Sequence, residues 1–120
     1  MHKIVFLALF IMIALSSSIY AQNDAPKAYK FAEFGPTTSA KVLEKMKGFD
    51  EELNGLPTAQ GYIMNFGSLK FIKVRKGLLF KGIAFRKYDR SSITFVDARY
   101  RKKNLTIMWI VPEGAENPTP

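Results

Sequence analysis

Val42, Leu43, Met46, Phe49 and Leu53 recur at the spacing that lines one face of an α-helix. No other feature limits the fold of this chain so tightly. Ser39 precedes the run as a candidate N-cap, and Asn54-Gly55 with Pro57 close behind is a stop signal. The spacing therefore predicts a helix over 40–54. Lys41, Glu44, Lys45, Glu51 and Glu52 fall outside the apolar stripe and read as a solvated face rather than a site. Such a helix must bury its stripe against a sheet or another helix.

The flanking segments supply the sheet. "AYKFAEFGPTT" (28–38) reads as extended, with Tyr29 and Phe31 on one side and a turn at Gly35-Pro36. "QGYIMNFGS" (60–68) predicts a strand from Tyr62 to Phe66, ending on Gly67. Residues 69–86 are ambiguous. Leu69, Ile72, Leu79 and Ile83 fit a helix face with Lys73, Lys76 and Lys87 outside. Yet Gly77 and Gly82 each cost about 1 kcal/mol in a helix, and Ile72-Lys73-Val74 suits a strand equally. "SSITFVDA" predicts a strand with Ile93 and Phe95 facing one way. In "LTIMWIVP", Leu105, Ile107, Trp109 and Val111 alternate against Thr106, Met108 and Ile110. The short link "RYRKKN" predicts that these last two strands pair as an antiparallel hairpin. The order β-α-β-α-β-β implies an α/β (α+β) sandwich, with two helices on one face of a mixed four-stranded sheet.

The ends set the compartment. Lys3 precedes an unbroken apolar stretch, Ile4 to Leu15, then small and polar residues up to Ala21. This is the layout of a secretory signal peptide cleaved after Ala21, and the stretch is short of the roughly 20 residues a spanning helix needs. The chain has no Cys, so neither a disulfide nor a lipidated N-terminal Cys is available. The expectation is a periplasmic or secreted protein with no transmembrane segment after cleavage. Its parts would be a leader (1–21), a linker (22–27), one domain (28–111) and a disordered tail (112–120).

The single His, His2, leaves with the leader. Without His or Cys, the mature chain lacks the commonest general base, the thiol nucleophile and the usual zinc ligands. Asp50, Glu51 and Glu52 point to different helix faces, and Asp89 suits a turn cap. The expectation is a non-enzymatic protein without cofactor or metal.

Charge is unevenly placed. Residues 22–67 hold five Lys and six Asp or Glu, whereas residues 68–103 hold twelve Lys or Arg against Asp89 and Asp97 alone. Arg86, Lys87, Arg90, Arg99, Arg101, Lys102 and Lys103, with Tyr88 and Tyr100 among them, would suit RNA in a cytoplasmic protein. Secretion disfavours nucleic acid and points to an anionic envelope polymer or lipid surface. Equally, these residues read as solvated rims that keep a sheet edge soluble. Asn104-Leu105-Thr106 fits a glycosylation sequon and reads as chance.

In this order the segments "KFAEFG", "VLEKMKGFDEELNGLP", "GYIMNFG", "VRKGLLFKGIAFRKYDRSSITFVDA" and "YRKKNLTIMWIV" resemble the OmpA-like peptidoglycan-associated domain over nearly the whole mature chain. The resemblance implies the helical reading of 69–86 and an envelope ligand. That family holds the carboxylate and amine of the peptidoglycan stem's diamino acid with a loop Asp and a helix Arg. Arg75 stands at the Arg position, where a guanidinium suits a carboxylate; the other reading is a surface arginine on a basic helix. The Asp has no counterpart, and Asn65 and Ser68 are the nearest polar side chains. A second class of function is a protein-interaction or homodimer module. Residues 105–111 are apolar on both faces, so a sheet covered on one side would expose an apolar patch on the other.

Overall fold

The computed structural model describes residues 25–99 and 101–120; the expected leader and Tyr100 lie outside the described residues. Strand β1 (Tyr29–Phe34) leads to helix α1 (Ser39–Asn54) and strand β2 (Gln60–Phe66). Helix α2 (Leu69–Arg86), a short 3-10 turn (Arg90–Ser92), β3 (Ile93–Asp97) and β4 (Leu105–Val111) follow. The order is β-α-β-α-β-β, an α+β fold with two helices and a four-stranded mixed sheet. Among the described residues, every strand, helix and buried core side chain lies between Tyr29 and Val111, so a chain starting at Gln22 includes all of these.

Both helices begin on a hydroxyl cap. Thr38 rather than Ser39 caps α1: its backbone is extended (ψ 152°) and its Oγ1 accepts from the Lys41 N–H at 3.3 Å. Ser68 caps α2 in the same way, accepting from the Phe71 N–H at 3.1 Å. These caps satisfy donors that a helix start leaves free. Ile72, Leu79 and Ile83 are buried as expected, but Leu69 is 63 % exposed. The helical repeat places Leu69 at the margin of the stripe that Ile72, Arg75 and Leu79 centre. Gly82 is buried where the helices cross; a Cβ there would stand 2.9 Å from Leu43 Cδ2.

The expected hairpin between residues 93–97 and 105–111 does not form. The sheet order is β1-β4-β2-β3, with β4 antiparallel to both β1 and β2, and β3 parallel to β2. The composition of β4 explains its place. Thr106, Met108 and Ile110 are buried on one face and Ile107 and Val111 on the other, which suits a central strand rather than an edge. The link 98–104 need only pass the end of β2, a distance of about 10 Å across two strand spacings.

On the helix-covered face, Met46, Phe49 and Leu53 of α1 and Leu79 and Ile83 of α2 pack on Ile63, Met108 and Ile110. A bulge between Lys30 and Ala32 shifts the register of β1, so Phe31 and Ala32 both reach this core. The other face is not the open apolar patch expected. Met64, Phe66, Ala98 and Ile107 form a second buried cluster, ringed by half-buried Val96, Leu105 and Trp109. Among the described residues no helix is long and apolar enough to cross a membrane. Beyond Val111 the chain closes a turn in which the Ala115 N–H donates to the Pro112 carbonyl at 3.1 Å.

Candidate functional site

Strands β1, β2 and β3 all finish at one end of the sheet, where β4 starts and both helices begin. Three loops meet there: 35–38, 67–68 and 98–104. Asn104 joins them. Its Oδ1 accepts from the Ser68 N–H at 3.0 Å. A Cβ on Gly35 would lie 3.3 Å from the Asn104 carbonyl oxygen, and one on Gly67 only 2.8 Å from Asn104 Cα. Gly67 also has φ 117°, a conformation open to glycine alone. Nothing in the sequence pattern gives Asn104 a structural part; its sole signal is an Asn just before an apolar run, with glycines ahead of both helices.

Arg75 sits beneath these loops. The expectation of a surface arginine is overturned, since the residue is only 4 % exposed. One Nη donates to Thr106 Oγ1 and the other to the Gly35 carbonyl, each at 2.8 Å. The guanidinium lies between two rings, 4.8 Å from the Phe34 centroid and 4.7 Å from Phe71. Thr106 passes the chain on by donating to Asn65 Oδ1 at 2.7 Å. Arg75 thus ties α2 to β4 and to the β1–α1 loop. Burial pulls its pKa below the ordinary arginine value. Among the described residues no carboxylate pairs with it. It lines a cleft of about 200 Å³ with Pro36, Thr37, Ser39, Phe71 and Val74.

The three residues singled out from the sequence therefore gather, but not as an open pocket. Asn65 is fully buried, and its Nδ2 has no hydrogen-bond partner. Ser68 is exposed and spends its hydroxyl on the cap. Arg75 and Asn65 meet through Thr106, which the sequence marks only as a strand residue.

The basic residues divide. Arg99, Arg101, Lys102 and Lys103 are exposed on the 98–104 loop, with the Arg101 guanidinium 4.6 Å from the Phe66 ring centroid. Arg86, Lys87 and Arg90 lie at the opposite end, where Arg90 stacks 4.3 Å over Phe80. The length of β3, about 16 Å, separates the two groups. At the loop end the basic side chains join two helix N-termini, neither of which has an acidic residue in its first turn. A helix start carries partial positive charge, and Asp97 at the end of β3 is paired with Lys76 at 3.0 Å, so the charges of this end in sum attract anions.

The opposite end differs. Asp50 is buried near the end of α1 and accepts from Asn54 Nδ2 at 3.2 Å. Burial raises its pKa, the Asn54 bond opposes the rise, and the charges of Glu51 and Asp89 add to it. Asp89 caps the 3-10 turn as expected, accepting from the Ser91 N–H at 2.9 Å and from its hydroxyl. Those bonds hold the Asp89 carboxyl below the usual range. Among the described residues no group of three His, Cys, Asp or Glu is placed to hold a metal.

No protein-family model matches this chain, and no match was found among curated proteins or solved structures.

Proposed function

We propose that the mature chain is a secreted, non-enzymatic module that binds peptidoglycan or another anionic polymer of the cell envelope through the loop end of its sheet. The observation that carries this reading is the convergence of two helix N-termini free of acidic residues, the carboxylate-free Arg75 and the exposed Arg99, Lys102 and Lys103 on one end. An anion placed there gains from all of them. Arg75 contributes as buried positive charge behind the loops; its hydrogen bonds to Thr106 and Gly35 make it a support rather than a pincer for a free carboxylate. The likeness to the OmpA-like domain adds the class of ligand, and the lack of that family's loop Asp argues for a polymer recognised by its charge. The alternative, a protein-interaction or dimer module using the second sheet face, has a narrower footing because Met64, Phe66 and Ile107 are buried.

The test is co-sedimentation of residues 22–120 with purified sacculi at low and high salt. Binding at low salt, lost at high salt and weakened about ten-fold in Lys102→Glu/Lys103→Glu, is the expected outcome. Binding unchanged by that double variant would remove the loop from the site. No binding at either salt would remove the polymer itself.

A further inference from the structure

Helix α2 carries a second surface that the loop end does not use. Its eighteen residues include Lys70, Lys73, Arg75, Lys76, Lys81 and Arg86 and not one Asp or Glu. Arg75 is buried, and Lys76 pairs with Asp97 at 3.0 Å on one flank. Lys70, Lys73, Lys81 and Arg86 are exposed with no carboxylate partner among the described residues. On the outward side that carries Lys70 and Lys81, Val74 is 65 % exposed and Phe85 87 %. Lys70, Val74, Gly77, Lys81 and Phe85 follow one another at steps of three and four, a single stripe about 22 Å long on an α-helix. Leu69, 63 % exposed, stands beside its start.

A solvated helix face looks different, and α1 provides one. There Lys41, Glu44, Lys45, Lys47 and Glu51 mix both signs, and no large apolar side chain of α1 is highly exposed. A single exposed apolar residue is ordinary. Val74 and Phe85 interleaved with the unpaired Lys70 and Lys81 on one face, flanked by Lys73, form the pattern of a helix that lies on an anionic bilayer. The apolar tips enter the acyl boundary while the lysine stems reach back to the phosphates. Val74 and Phe85 are three turns apart, so they make no compact knob for a protein pocket; they suit a flat and laterally continuous partner.

We infer that the outward face of α2 docks on anionic lipid membrane, with Phe85 and Val74 as the inserted side chains and Lys70, Lys73 and Lys81 at the headgroups. This contact uses residues apart from the 98–104 loop and stands whether or not the loop end binds a polymer. Gly77 provides a clean probe, because a Cβ there meets nothing within 4 Å. Gly77→Glu therefore plants a carboxylate in the middle of the stripe without disturbing the core.

The experiment is flotation of residues 22–120 with vesicles of phosphatidylcholine alone, or of equal parts phosphatidylcholine and phosphatidylglycerol. Flotation is expected with the anionic vesicles only. Phe85→Ser and Gly77→Glu should each weaken it about five-fold or more, with no loss of thermal stability and with Gly77→Glu melting somewhat higher than the parent, while Lys102→Glu/Lys103→Glu still floats. Three results would overturn the proposal. One is equal flotation of the parent and Gly77→Glu; another is no preference for anionic vesicles. The third is a solution dimer that Phe85→Ser dissolves, which would assign the stripe to a second copy of the chain.

Discussion

The two ends of the sheet each bury one charge, and they do so differently. At the loop end, Arg75 is held by a hydroxyl, a carbonyl and two ring faces. At the other end, Asp50 has a single amide partner and two acidic neighbours that oppose its charge. Arg75 lies in the second turn of α2 and Asp50 just before the last turn of α1, so neither charge gains from the dipole of its helix. Yet one is braced and the other merely tolerated. A buried ion keeps its place when neutral acceptors or donors replace its water shell; Arg75 has such replacements on several sides, and Asp50 has few. The loop end is thus a rigid, positively charged platform, whereas the far end holds strain that a neutral side chain would relieve.

The largest expected effect breaks the brace. Arg75→Ala should cost about 3 kcal/mol in a denaturant titration, since it leaves a cavity and strands the Gly35 carbonyl. Arg75→Met keeps much of the volume; stability equal to the parent would show that the guanidinium is kept for its charge and not for the fold. Next comes the pin at Asn104. Gly67→Ala sets a Cβ against Asn104 in a left-handed backbone and should cost about 2 kcal/mol by thermal melt. A neutral result would mean that the loops are not locked together. Ser68→Ala and Thr38→Ala each remove a cap and should cost about 1 kcal/mol. Ser68 should be the costlier of the pair, because its loop is also held by Asn104.

The smallest effect has the opposite sign and probes the far end. The folded pKa of Asp50 lies above its unfolded value, so its ionised form opposes folding at neutral pH. That penalty is present above the folded pKa and fades as pH falls through it. Asp50→Asn should therefore melt a few degrees higher than the parent at neutral pH, with the gap narrowing on acidification through the carboxylate range. A constant gap across pH would assign the gain to packing rather than charge.

The features legible in the amino-acid sequence are the local ones. The α1 stripe, its stop at Asn54-Gly55, the Asp89 cap and the order of elements each depend on neighbours a few residues away. Residues 69–86 are harder because apolar residues lie on both sides of α2. Ile72 and Ile83 enter the core while Val74 and Phe85 face outward, so periodicity alone gives a blurred signal. Of the candidate site, the basic loop is visible as composition, but Asn104 and Thr106 are not, since neither residue type is distinctive in a strand or its lead-in.

The partner of each strand and the burial of Arg75 belong to a different scale. A short link between two apolar runs suggests a hairpin, yet β4 gains more by filling the gap between β1 and β2, where both of its faces are covered. That insertion brings Thr106 beneath α2 and so creates the acceptor that draws Arg75 inward. Periodicity and capping are written in residues three or four apart. Sheet order and a buried ion's partners join residues 31 to 41 positions apart, and competition among whole strands for the core decides them.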